Sequence, residues 1–404
     1  MERKKLALIS FGHLSCDING GALPACLPYL RTAHGLDYQA TAAFMLAYSC
    51  LSSLVQPFFG WLADRHRKPW FVPIGIFLAG GGLAVMGFLA GYWAIFICIA
   101  ISGIGSAFFH PEGARFANKF SGAQKGTGMS LFSIGGNSGF ILGPLLVAFF
   151  VGHFGLGGMS AFGVIAAIMA IALAWQIALL PGGASDASPS PKSAAKAADP
   201  ASAEGDELAS GADEPREMAV NNWHEFSRLV VVILSRSIMF VGCNTFIPLY
   251  WVNSLGQSAA QGATALVIFG AFGVACNFAG GLLSDRIGYV PVIRIAFLTA
   301  APILFLFALS ESILASYLLL PLLGLALYLP FSSQVVLGQQ LLAKNIGFAS
   351  GVTLGLSTTV GGMAQPLLGW VADSYGLPRV FMVLAAVGLA GSIFTFLLSK
   401  KANA

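Results

Sequence analysis

Two charges interrupt otherwise apolar runs of this sequence, Asp17 near the start and Arg236 in the second half. Counted from Leu6 at 1.5 Å per residue, Asp17 lies about 16 Å along a helix. An aspartate at such a depth in hydrocarbon costs roughly 2.5–3.5 kcal/mol, so it must face a wet cavity or a partner. The chemistry it offers is reversible protonation, which switches its charge on and off. His13 stands one helical turn earlier on the same face, close enough to hydrogen-bond it or simply to fill space. Arg236 has three readings: a counter-ion for Asp17, an anchor for an acidic group on a substrate, or a residue snorkelling to the cytoplasmic surface.

A second group is His110-Pro111-Glu112 with Arg115. The proline frees a backbone carbonyl, which is tolerated in a membrane where the backbone lines a cavity. His110 and Glu112 are expected to be a second titrating pair beside the pathway; the competing reading pairs Glu112 with Arg115, three residues on. On the seventh apolar stretch, Phe240, Phe246, Tyr250 and Trp251 either line a cavity or face lipid.

Other chemistries lack their residues. No nucleophile–base pair, metal cluster or phosphate-cradling G-x-x-x-x-G-K loop is legible, so neither an enzyme nor a cofactor is expected. The six cysteines are scattered through apolar stretches with no C-x-x-C and read as small packing residues. Energy for any work must then come from an ion gradient, and a carboxylate beside histidines suits protons better than sodium.

The elements that must position these groups follow from composition. Of 404 residues, 56% are apolar and only 9% charged, far below the roughly 25% charged of a soluble domain. The chain is an all-α polytopic membrane protein. Apolar runs and their breaks predict twelve transmembrane helices, at roughly 6–30, 40–63, 70–90, 93–114, 126–151 and 158–180, then 226–252, 261–284, 291–310, 313–337, 347–371 and 378–399. The start, although basic and then apolar, is broken by His13, Asp17 and Asn19 and reads as a retained first helix and not a cleaved signal. Between the two sets of six, residues 181–222 are rich in Ala, Ser, Pro and Gly, with eight acidic residues against three basic ones, and are expected to be a disordered linker. Residues 1–180 and 223–404 are thus two six-helix bundles. Placing both termini in the cytoplasm puts 18 of the 21 lysines and arginines on that side, which satisfies the positive-inside rule. The basic residues report topology and not nucleic-acid binding.

The two bundles repeat each other. Gly60-Trp-Leu-Ala-Asp64-Arg65 returns as Gly281-Leu-Leu-Ser-Asp285-Arg286, an offset of 221 residues that also carries Gly103 onto Gly324. Parallel repeats of six spans are the plan of transporters whose halves rock about a midplane site. The paired G-x-L-A-D-R loops resemble the loop motif of the major facilitator superfamily. Three further stretches resemble its fosmidomycin-resistance type of drug exporter: His13-x-x-x-Asp17 with Gly21-Ala-Leu-Pro24-x-x-x-Pro28; Phe108-Phe109-His110-Pro111-Glu112-x-x-Arg115; and Gly135-Gly136-Asn137-x-Gly139-x-x-x-Gly143-Pro144.

The resemblance implies the two-bundle major facilitator fold and alternating access. Within it, the residues expected to couple protons are Asp17, His13, His110 and Glu112, and the expected substrate contacts are Arg236, Asn137, Phe240 and Tyr250. Gating falls to Asp64, Arg65, Arg115, Asp285 and Arg286, the aspartates clasping neighbouring helix ends when the protein faces outward, and to the small-residue run Gly139, Gly143 and Pro144. There are departures. Arg67 stands where the first loop motif usually has glycine, Ile99 stands where many proton antiporters have an arginine, and Val147 and Ala148 replace a later glycine pair. The expected protein is a monomer in a bacterial inner membrane, handling a small molecule and protons. Its activity is proton-coupled export of a small drug or metabolite such as fosmidomycin; uptake of a small organic anion and a non-transporting receptor or scaffold are the rivals.

Overall fold

The computed structural model describes residues 1–59, 62, 69–179 and 221–399. These residues are helical almost throughout, with no strand among them. In the first half run α1 (Arg3–His34), α2 (Tyr38–Ser53), α3 (Phe71–Met86), α4 (Tyr92–Ser121), α5 (Lys125–Leu146) and α6 (Ser160–Ala178). In the second run α7 (Trp223–Asn253), α8 (Ala259–Ile287), α9 (Tyr289–Leu309) and α10 (Ile313–Tyr328, resuming as Phe331–Leu341). There α11 follows in pieces, Ile346–Ser350, Gly351–Leu356, Ser357–Met363 and Gln365–Tyr375, and α12 (Leu377–Leu397) closes the bundle. These are the twelve helices expected from the apolar runs.

Composition explains which helices stand inside. Eight helical stretches are long and apolar enough to cross a membrane, Thr127–Ala178 holding both α5 and α6, and α3 is a shorter apolar helix. Helices α1 and α11 are not among them, because polar residues interrupt both. Their polar groups point inward: Asp17, Asn19, Thr353, Ser357, Thr359 and Gln365 are all buried. Outside, Phe77, Trp93, Ile97, Ile168, Ile171 and Trp175 are exposed on α3, α4 and α6. A soluble protein would bury such a surface; a lipid bilayer solvates it. Despite Pro24 and Pro28, α1 runs unbroken to His34.

The halves meet toward the end of the bundle far from both termini, called distal here. There the Arg31 Nη1 donates to Asn253 Oδ1 (3.0 Å), and the backbone N–H groups of Tyr38 and Gln39 donate to the Asp373 carboxylate. The expected linker lies mostly outside the described residues. Its last two residues are part of the fold: Asn222 caps α7 by accepting the Glu225 N–H (3.1 Å), and its own N–H donates to Leu341 O (2.7 Å). Asn222 is an N-cap type with an orphan helix donor to satisfy, so order begins earlier than composition suggested.

Candidate functional site

Asp17 sits near the middle of α1, only 6% exposed, with a histidine on each side. His13 Nε2 lies 3.2 Å from Oδ2, one turn back on the same helix, and His110 Nε2 lies 3.1 Å from Oδ1, reaching across from α4. The far nitrogen of each ring faces a backbone carbonyl: His13 Nδ1 is 2.8 Å from Phe132 O on α5, and His110 Nδ1 is 2.8 Å from Ser106 O. Phe132 also stacks on the His13 ring at a centroid distance of 4.1 Å, and the two imidazoles meet edge to face at 5.2 Å. Three helices therefore hold one carboxylate.

Proton arithmetic follows from who can donate. A carbonyl oxygen only accepts, so both Nδ1 atoms carry hydrogen. If the histidines are neutral, both Nε2 lone pairs face an ionised carboxylate, and neither contact holds a proton. One proton added to each contact satisfies the arrangement. The cluster thus has places for two exchangeable protons on top of the two fixed Nδ1 hydrogens.

The same three residues also present ligand atoms within 4.8 Å of one another, a grouping not legible in the sequence and close enough to hold a divalent metal ion. In the present geometry each histidine addresses its own carboxylate oxygen, as separate hydrogen bonds do.

Helix α5 closes the cluster through glycine. A Cβ built on Gly136 would lie 2.5 Å from His13 Nε2 and 2.7 Å from Asp17 Oδ2, and one on Gly139 would lie 2.7–2.8 Å from the backbone of Leu14, Asp17 and Ile18. Gly139 and Gly143, expected to serve gating, thus let α5 lie directly on the α1 backbone beneath the carboxylate. Gly136→Ala is expected to displace the His13–Asp17 pair and cost about 1–3 kcal/mol of packing strain. A Tm lowered by several degrees, together with impaired coupling, checks this; an unchanged Tm with normal transport would contradict it.

His110 and Glu112 do not form the second pair expected of them. Residues two apart on a helix point to different sides, and the structure resolves the competition by this rule. His110 joins Asp17, while Glu112, fully buried, is held by the Arg115 guanidinium in a two-pronged contact, Nε to Oε2 at 2.9 Å and Nη2 to Oε1. Arg115, expected at the gate, clamps a buried carboxylate instead. Arg115→Ala is expected to destabilise by about 3–5 kcal/mol, because it strands the Glu112 charge. Arg115→Ala with Glu112→Gln together should recover part of that loss in thermal unfolding.

The second-half charge has its own setting. Arg236 is 7% exposed, so it does not snorkel, and it bonds Gln334 and Leu327 and not Asp17. Its Nε donates to Gln334 Oε1 (2.9 Å) and its Nη1 to Leu327 O (3.3 Å), with the guanidinium carbon 5.0 Å from the Phe331 ring centroid and 5.8 Å from that of Phe240. Phe240 in turn meets Tyr328 edge to face. No carboxylate pairs with Arg236 among the described residues, and Gln334 Nε2 is buried with no acceptor. Two sets of donors with no carboxylate among the described residues thus lie beside the rings of Phe240 and Phe331. Gln334, Tyr328 and Phe331 escaped the sequence reading, since nothing in their spacing links α10 to Arg236.

Other expected residues fall elsewhere. Tyr250 is buried against Phe307 and Phe381 with its hydroxyl donating to Ser310 O (2.5 Å), which makes it part of the second-half core and not a cavity wall. Phe246 and Trp251 are fully buried there too and do not face lipid. Asn137 is exposed on α5 beside Gly136. Asp285 and Arg286 are exposed at the end of α8, and no ion pair engages either among the described residues. Asp64 and Arg65 lie outside the described residues.

The profile of the Major Facilitator Superfamily matches residues 9–364. The chain belongs to the major facilitator superfamily. It is 30% identical to the "Fosmidomycin resistance protein" of Escherichia coli (strain K12), over 97% of this chain and 92% of that protein. It is 28% identical to the "Uncharacterized MFS-type transporter YfnC" of Bacillus subtilis (strain 168), with the same coverage. The "Multidrug resistance protein MdtG" of Salmonella paratyphi C matches over 35% of this chain at 28% identity. Among solved structures, an inward-facing, occupied bacterial homologue of the lysosomal transporter Spinster superposes with a TM-score of 0.76 at 14% identity, covering 100% of this chain and 98% of that one. The nucleoside transporter NupG superposes at 0.73 and 15% identity, covering 98% and 100%. As a major facilitator the protein is a multi-pass membrane transporter of small molecules and not an enzyme.

Proposed function

We propose that the protein is a proton-coupled exporter of a small drug or metabolite such as fosmidomycin, working by alternating access in a bacterial inner membrane with both termini in the cytoplasm. The observation that carries this reading is the single buried carboxylate bridged by two histidines from two helices, His13–Asp17–His110. Protons arriving from outside occupy the two Nε2–carboxylate contacts; their departure to the cytoplasm restores the ionised Asp17. Arg236 and the free Gln334 amide supply an anchor for an acidic group on the substrate. Phe240, beside the guanidinium, and Asn137, exposed on α5, are the other proposed substrate contacts.

With the termini inside, the joined distal end is the outer face. The contacts across it support an inward-facing arrangement. The resistance and multidrug names of the relatives support export as the direction. Arg236 is equally compatible with one rival, the uptake of a small organic anion, because a buried cation with no carboxylate among the described residues would serve either direction.

The deciding experiment uses everted membrane vesicles containing the chain and labelled fosmidomycin. Energised vesicles that accumulate the label, and lose it when a protonophore is added, bear out proton-coupled export. Accumulation by intact cells rather than vesicles would replace export with anion uptake. No movement of fosmidomycin or of other small acids under any gradient would leave the receptor reading standing.

A further inference from the structure

The loop motif has a third copy that the repeat of six helices does not generate. Gly369-Trp-Val-Ala-Asp373 matches Gly60-Trp-Leu-Ala-Asp64 at four of five positions and shares its glycine-to-aspartate spacing with Gly281 and Asp285. The second copy closes α8 at the end of the bundle that holds the termini. The third closes α11 at the opposite, distal end.

What it does there is visible. The carboxylate of Asp373 accepts two backbone N–H groups at the start of α2 in the other half: Tyr38 to Oδ1 at 2.8 Å and Gln39 to Oδ2 at 2.9 Å. Asp37 Oδ1 accepts the next one, from Ala40, at 2.7 Å. Three of the orphan donors of the α2 N-terminus are thus satisfied by two carboxylates, one from each half. Gly369, one turn before Asp373 on the same face, makes room: a Cβ there would lie 2.6 Å from Gln39 Cα and 2.7 Å from Tyr38 O. Beside it, the Arg31 guanidinium sits 4.0 Å from the Tyr38 ring centroid while bonding Asn253.

We propose that Gly369 and Asp373 form the latch of the distal gate, a carboxylate capping a helix N-terminus across the two halves, and so an end-inverted counterpart of the loop motifs at the other gate. The proposal rests on the alternating-access reading above. In the present arrangement the negative group sits on the positive end of the α2 dipole and accepts two charge-assisted hydrogen bonds. When the distal end opens, both bonds must break and the N–H groups pass to water. The latch therefore favours the closed distal state by its differential contacts, which is what a gate residue must do.

The test is conformational and needs neither substrate nor a proton gradient. Spin labels are placed on cysteines introduced at Ala33 and Ser258, in full-length protein with Cys50, Cys98 and Cys276 replaced by serine, and inter-label distances are measured in nanodiscs. The parent should show a dominant short distance. Asp373→Asn removes the charge and one acceptor, and should raise the ratio of long to short distances about tenfold. Gly369→Ala, which blocks the close approach without touching charge, should do the same and serves if the first variant fails to fold. Distance distributions that stay unchanged in the folded variants would overturn the latch. A shift in these distances alongside failed proton-coupled transport would uphold the latch and reject only the coupling; normal coupling with unchanged distances would do the reverse.

Discussion

If Asp17 couples protons to transport, Asp17→Asn is expected to abolish uphill transport while leaving a folded protein in the membrane. Asparagine has the same shape, can still accept from one histidine and donate to the other, and so keeps the α1–α4–α5 packing. What it removes is the charge that two protons switch. A proton crossing 100 mV releases about 2.3 kcal/mol, and one pH unit adds about 1.4 kcal/mol. One coupled proton therefore supports a substrate gradient of about 500-fold, and two would support roughly its square. In the variant the gradient should fall to about one, whereas exchange of substrate between the two sides continues, since exchange needs no net proton movement. Everted vesicles read both quantities: accumulation at steady state and counterflow at equal pH. Accumulation equal to the wild type would remove Asp17 from the coupling mechanism. Loss of counterflow as well would show that Asp17 serves the conformational change itself.

Arg236→Gln weakens acidic substrates selectively. Hydrogen bonds to a charged group contribute about 1.5–3 kcal/mol, so apparent affinity for a small acid should drop about 10- to 150-fold. The fold should tolerate the change, because a buried cation without a carboxylate costs desolvation that glutamine does not incur. The Tm of the purified variant should thus hold or rise even as binding falls. Arg236→Lys retains the charge but not the planar fork and should lose less. Equal losses for lysine and glutamine, or equal losses for acidic and neutral ligands, would show that Arg236 packs against its aromatic neighbours and does not read the substrate.

The legible and illegible parts of the site divide along helix boundaries. His13 and Asp17 stand one turn apart on a single helix, so the 3.6-residue period alone brings them together. The same rule, applied to Glu112 and Arg115, was enough to pair them, and it argues against the pairing of His110 with Glu112 that the motif suggested. Contacts between helices have no such rule. His110 reaches Asp17 from 93 positions away, Phe132 supplies its carbonyl to His13 from α5, and Gln334 meets Arg236 from α10. Tyr250 shows the opposite failure: an aromatic residue with a polar tip on a cavity-facing helix is consistent with substrate contact, and only the position of Ser310 reveals that its hydroxyl is already engaged.

What the sequence by itself determined was the class and the plan. Fifty-six per cent apolar residues in a chain with 9% charge leave a lipid bilayer as the only solvent for its surface, and helix length in hydrocarbon then yields twelve passes, duplicated at an offset of 221. Only the tertiary structure decided which polar groups share a point in space. A helix presents its residues in all directions, and which direction is inward depends on how the helices rotate against one another, which for α1 and α5 is fixed by backbone contacts at Gly139 and Gly143. One carboxylate with two histidines, one arginine with no carboxylate, and an aspartate capping a helix of the opposite half all follow from that packing.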